Sequence, residues 1–169
     1  AVVDGRTHTL VKSIGMPGAT TAVWVPDSDR VYVSCQSTNK VAVVDSRTDS
    51  LLCYIPVGGC PIKMYINTLR RKLYVLNYDD RSVSVVDLAT SQVIKTIEVG
   101  GTPNSGHYCR RVDKFYSDGS YGTVAVIDGM GASVLARIPL PDNGWALSMA
   151  GDERTATVIP TPTCIPNTL

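Results

Sequence analysis

Histidine is nearly absent from this chain: His8 and His107 are its two copies, and they lie far apart in sequence. A histidine-built metal site is a poor reading of such a pair. Charge of either sign is also scarce in excess. Lys+Arg is 16, Asp+Glu is 15, and the net is +1. That balance leaves no electrostatic footprint for nucleic acid and no polybasic patch for lipid. No apolar run approaches the ~18–20 residues that span a bilayer, and no signal-peptide pattern opens the chain. What is present suits one folded domain: 169 residues, 44% hydrophobic and 18% charged,. The five cysteines, Cys35, Cys53, Cys60, Cys109 and Cys164, form no CxxC pair. They read first as small buried hydrophobes. In an exported protein one or two disulfides could form, leaving a thiol over.

The dominant feature is a repeat. VAVVD at 41–45, VSVVD at 83–87 and VAVID at 124–128 align, and AVVD at 1–4 is a further copy. Their aspartates, Asp4, Asp45, Asp87 and Asp128, step by 41, 42 and 41. LVKSI, LLCYI, VIKTI and VLARI follow these segments; VYV at 31–33, LYV at 73–75 and FYS at 115–117 precede three of them. The elements are short, rich in Val, Ile, Tyr and Thr, and bounded by turn residues, which is strand chemistry. Four antiparallel strands in roughly 40–45 residues make one propeller blade. The fold class predicted is all-β: a β-propeller of four-stranded antiparallel blades.

Three blades are expected at about 19–57, 61–99 and 103–140, with a fourth shared between residues 143–159 and 1–14. Four blades in one chain, closed by a sheet that brings Val2 and Val158 together, is the architecture expected of residues 1–159. A half-ring pairing with a second copy is the rival. The tail 160–169, with Pro160, Pro162 and Pro166, cannot continue a sheet interior,.

VYVSC at 31–35, LYVLN at 73–77, the three V-x-V-V/I-D strands and VIKTIEVGGTP at 93–103 resemble the YVTN family of β-propeller repeats. The resemblance implies a surface-layer or periplasmic setting, hence an extracytoplasmic location. It also implies kinship with propellers that support quinone amine dehydrogenases. The copies depart from the motif: its Thr-Asn end is Ser34-Cys35 in one and Leu76-Asn77 in the next, and FYSDGSYG at 115–122 has lost it.

The repeated aspartates read as turn devices whose side chains accept backbone N–H groups. In the Gly58-Gly59-Cys60-Pro61 and Gly100-Gly101-Thr102-Pro103 turns, Gly is expected to supply positive φ,. Function is expected where the repeat breaks. The innermost strands hold one column of Thr21, Lys63, Ser105 and Trp145, and another of Val23, Tyr65, His107 and Leu147. A pocket at the axis made of Lys63, Tyr65, Asn104, Ser105, His107 and Trp145 would suit a polar or anionic ligand. In the plainer alternative Tyr65 and Trp145 pack between blades and Lys63 is solvated. Ser105 and His107 share a strand face, and Asp118 or Asp142 could orient the histidine. Asp79-Asp80 reads as a solvated turn rather than a metal site, and Arg70-Arg71-Lys72 with Arg110-Arg111 as a solvated basic rim.

The leading functional expectation is a non-catalytic binding or interaction scaffold that uses one face of the propeller. An enzyme or redox-enzyme subunit with an axial pocket is the alternative, and a surface-layer or filament subunit a third. No cofactor, metal, nucleic acid or membrane insertion is implied. The partner would be a protein or a small polar ligand, with a homo-oligomer or lattice left open.

Overall fold

A computed structural model describes residues 1–119 and 122–140, and the strand backbones of 146–149 and 156–159. The chain starts with β1 (Val2–Val3) and β2 (Leu10–Lys12), which pair with each other. The first blade is β3 (Ala19–Val25), β4 (Arg30–Cys35), β5 (Lys40–Asp45) and β6 (Ser50–Pro56). The second is β7 (Pro61–Asn67), β8 (Lys72–Asn77), β9 (Ser82–Asp87) and β10 (Gln92–Glu98). The third is β11 (Gly106–Cys109), β12 (Lys114–Gly119), β13 (Thr123–Asp128) and β14 (Val134–Pro139). Finally β15 (Ala146–Met149) pairs with β16 (Ala156–Ile159). Every ladder is antiparallel and joins consecutive strands, so each blade is a meander.

The blades stack because their middle strands are apolar on both sides. Side chains alternate across a strand, so a run that is buried throughout must have neighbours on both faces. In β8 the run Leu73-Tyr74-Val75-Leu76 is fully buried. Leu73 and Val75 pack with Tyr32, Val41, Val43 and Ile55 of the first blade. Tyr74 and Leu76 pack with Phe115, Ala125 and Ile127 of the third. Tyr74 and Phe115 stack with ring centroids 4.3 Å apart. The outermost strands break the pattern: β6, β10 and β14 are largely exposed, and each carries a register shift against its neighbour. Such bulges twist an edge away from further pairing.

Each hairpin of the three four-stranded blades turns through a left-handed residue. The first hairpins use Asp29, Arg71 and Asp113, the second Asn39, Arg81 and Gly122, the third Asp49, Ser91 and Ala132. The repeated aspartates brace the third turn as expected. Asp45 Oδ1 accepts from the backbone of Arg47 and Thr48 at 2.8 and 2.9 Å, and Asp87 Oδ1 from Ala89 and Thr90 at 2.9 and 2.7 Å. These bonds hold both carboxyls below their ordinary value. The glycine expectation holds at Gly100, with φ 85°, and needs correcting in the other turn. Positive φ falls on Cys60 (54°), not on Gly58 or Gly59. Those two are required by close approach: a Cβ on Gly58 would lie 2.6 Å from the Asn77 side chain, and one on Gly59 2.8 Å from Asp80.

The strands of a fourth blade are present as two separate pairs. Val2 pairs with Lys12 and Val158 with Leu147, and among the described residues no ladder joins the two pairs. β1 pairs over two residues with a shift between them, an edge too short to template another ladder,. The edge strands β3, β7, β11 and β15 lie side by side in that order and line the axis; no comparable contact returns from β15 to β3 among the described residues. On the outward face of the first blade, Val2, Ile14 and Met16 border an apolar groove floored by Val31, Val33 and Val44.

Candidate functional site

At the mouth where the axial strands begin, Thr21, Ile62, Lys63 and Asn104 border a groove of about 510 Å³, completed by Gln36, Cys60, Tyr78 and Asp79. Lys63 and Asp79 are exposed and Asn104 is half-buried. Tyr78 is 43% exposed, so an aromatic ring stands free at the rim. The cause is local. Both β3 and β7 carry a register shift at their start, between Ala19 and Thr21 and between Pro61 and Lys63. The bulge skips Ile62, while Lys63 stays in the ladder opposite Leu76 with its side chain exposed,.

The third blade solves the same position differently. β11 begins only at Gly106, and the preceding residues leave the ladder. Asp118, fully buried on β12, takes over their backbone. Its Oδ1 accepts from Asn104 N at 2.9 Å and Ser105 N at 2.5 Å, while its own N–H donates to Ser105 O at 3.1 Å. Oδ2 is buried without a hydrogen-bond partner among the described residues. Burial pushes this carboxyl above the ordinary value, opposed by the two N–H groups and by the Lys63 charge. In the second blade the same column is Leu76, which has no polar group, and in the first it is Ser34, whose Oγ accepts from Thr21 N at 3.1 Å.

The remaining candidates are spread. Thr21 Oγ1 donates to Ile62 O of the next blade at 2.7 Å. Tyr65 packs on Phe115, and its hydroxyl accepts from Gly106 N at 3.0 Å. Alternate residues of an axial strand therefore reach across the seam between blades, and the groove is built by strand starts and turns. Lys63 and Asn104 meet in the groove; Ser105 flanks it through its backbone. His107 is half-buried with Nε2 unpartnered among the described residues. Asp118 serves the backbone of Ser105 rather than the imidazole, so Ser105, His107 and Asp118 form no relay. Trp145, Asp142, Cys164 and the tail 160–169 lie outside the described residues. Among those residues no three His, Cys, Asp or Glu side chains gather as a metal site requires. Among the described residues no helix is long and apolar enough to cross a membrane.

The basic rim at the opposite mouth is more engaged than its sequence suggests. Arg70 Nε bonds Asp113 Oδ2 at 2.7 Å, and Asp113 Oδ1 also accepts from the Tyr108 hydroxyl at 2.9 Å. Lys72 Nζ donates to the carbonyls of Gly129 and Met130. These long side chains lock the second blade to the third instead of lying in water. Burial alone would raise Asp113, but the Arg70 and Tyr108 partners hold it below the ordinary carboxylate value. The hydroxyl of Tyr108 is raised far above its own, first by burial and then by the Asp113 carboxylate. The aligned arginines were the available signal; their acidic partner forty positions away could not be paired from one sequence.

No family model matches the chain, and no curated protein matches it. Solved structures do. A chain of Kuenenia stuttgartiensis hydrazine synthase superposes with a TM-score of 0.78 and 26% identity, covering 95% of this chain and 46% of that one. Dihydro-heme d1 dehydrogenase NirN, in complex with DHE, superposes with a TM-score of 0.72 and 15% identity, covering 84% of this chain and 33% of that one. This chain thus spans less than half the length of either protein. With both, it shares the β-propeller fold.

Proposed function

We propose that the protein is an interaction scaffold that receives a polypeptide loop at the mouth bordered by Lys63, Tyr78, Asp79 and Asn104. One observation carries the reading: Tyr78 is 43% exposed inside a groove that also offers both charges and an amide. Half-exposed tyrosines flanked by such groups are typical anchors of protein contacts. The test places a photo-crosslinking residue at Tyr78 and, as a control, at the exposed Leu52 of an outer strand. A discrete adduct from position 78 alone, reduced about tenfold by Lys63→Ala, is the expected outcome. Equal adducts from both positions, or none from 78, overturn it.

A second reading makes the partner a redox enzyme, with this chain as its propeller subunit. The 26% identity to the hydrazine synthase chain over nearly the whole sequence favours it. The same adduct decides, because its mass either identifies a cofactor-bearing subunit or does not. The repeat type that best fits VYVSC, LYVLN and the V-x-V-V/I-D strands is the YVTN type, which carries the extracytoplasmic location with it. Cell fractionation tests that placement.

A further inference from the structure

The axial strands end at a second mouth, which the scaffold reading leaves unused. There Val25 closes β3, Ile66 and Thr68 lie at the end of β7, and Arg110 follows β11. With Asp27, Arg71 and Leu88 they line a cavity of about 340 Å³. Its floor is apolar, since Val25 and Leu88 are buried and Ile66 half-buried. Its lip carries Arg71 and Arg110, both exposed.

Both arginines are departures from the repeat. The column of Arg71 is otherwise Asp29 and Asp113, which hold Arg47 at 2.5 Å and Arg70 at 2.7 Å. The column of Arg110 is otherwise Pro26 and Thr68. Arg71 moreover occupies the left-handed region, with φ 51°. Aspartate tolerates that conformation better than arginine does. Folding explains the aspartates of this column; it does not explain a guanidinium in their place. The acids that face the pair are Asp27 at the lip and Asp87, on which Arg71 acts electrostatically. Neither makes an ion pair with Arg71 or Arg110 among the described residues.

We infer that this second mouth is a binding site for a small organic carboxylate, whose charge meets Arg71 and Arg110 while its aliphatic body rests on Val25, Ile66 and Leu88. Guanidinium groups bind carboxylates through paired, charge-assisted hydrogen bonds. The apolar floor selects against a bare inorganic anion, which would leave that surface wet.

Succinate is the probe, titrated into the full chain by calorimetry or followed by amide NMR. Arg71→Asn keeps a residue suited to φ 51°, and Arg110→Thr restores the residue of the second blade, so both variants respect the fold. Saturable succinate binding, weakened about tenfold or more by each variant, is expected. Unchanged affinity in both variants, or no saturable binding by the parent protein, overturns the site. Phosphate binding in place of succinate overturns the ligand class. Lys63→Ala, at the other mouth, separates this result from the scaffold reading: it should leave succinate affinity unchanged.

Discussion

The two mouths of the axis differ in what departs from the repeat. At the first, the backbone departs. Residues 103–105 leave the ladder that β3 and β7 keep, and a buried carboxylate holds them in place. At the second, the backbone is regular to within a few degrees: Asp29, Arg71 and Asp113 have φ of 49°, 51° and 49°. There only the side chains change. A propeller can thus diversify one end by rerouting the chain and the other by substituting on a fixed path. The first route needs a compensating polar group in the core; the second needs none.

The largest effect should come from removing what both ends share. Phe115 is fully buried between the second and third blades, stacked on Tyr74 and tilted against Tyr65. Phe115→Ala should cost about 3–5 kcal/mol in chemical denaturation and erase the distinction between the mouths. Loss of less than about 1 kcal/mol would mean that this seam is not the common support.

Asp118 separates the mouths. Asp118→Ala strips two backbone N–H groups of their acceptor and should cost about 1–3 kcal/mol. Amide exchange should quicken at Asn104 and Ser105 and stay unchanged at Arg71 and Arg110. Its pH dependence has a definite sign. The folded carboxyl lies above the ordinary value, so the unfolded chain gives up this proton first. Its contribution is complete below the ordinary carboxylate range and is lost as pH rises through the raised folded value. A proton on Oδ2 removes the buried charge while Oδ1 keeps both N–H groups. Asp118→Asn should flatten that decline, and an unaltered slope would show that Asp118 is not its source.

The smallest effect tests backbone strain by itself. Arg81 shares the left-handed conformation of Arg71, with φ 52°, yet lines neither cavity. Arg81→Gly should stabilise by at most about 1 kcal/mol, because relief of strain is partly offset by a freer unfolded chain. Its urea midpoint should rise while succinate affinity holds. A fall would mean the Arg81 side chain carries contacts worth more than its strain.

The fold was legible because its regular columns are dictated by packing. A strand buried on both faces must read as an apolar run, and Leu73-Tyr74-Val75-Leu76 does. The turn role of Asp45 and Asp87 was legible because it is local. The register shifts that open β3 and β7 were not, since a bulge leaves no mark in either strand. Nor was the geometry of the site. Period-two alternation places Lys63 and Tyr65 on one side and allows Tyr65 to pack between blades, but it does not name Phe115 as its partner. The role of Asp118 was hidden for the same reason, since its backbone partners lie fourteen and thirteen positions away.

The hairpins reverse through a backbone shape that aspartate, asparagine, serine, arginine and alanine all adopt here. Turn identity is therefore loosely coupled to fold identity along this perimeter. A protein so constructed can exchange one recognition surface for another by point substitution, and an engineer could write new specificities onto it without redesigning the framework.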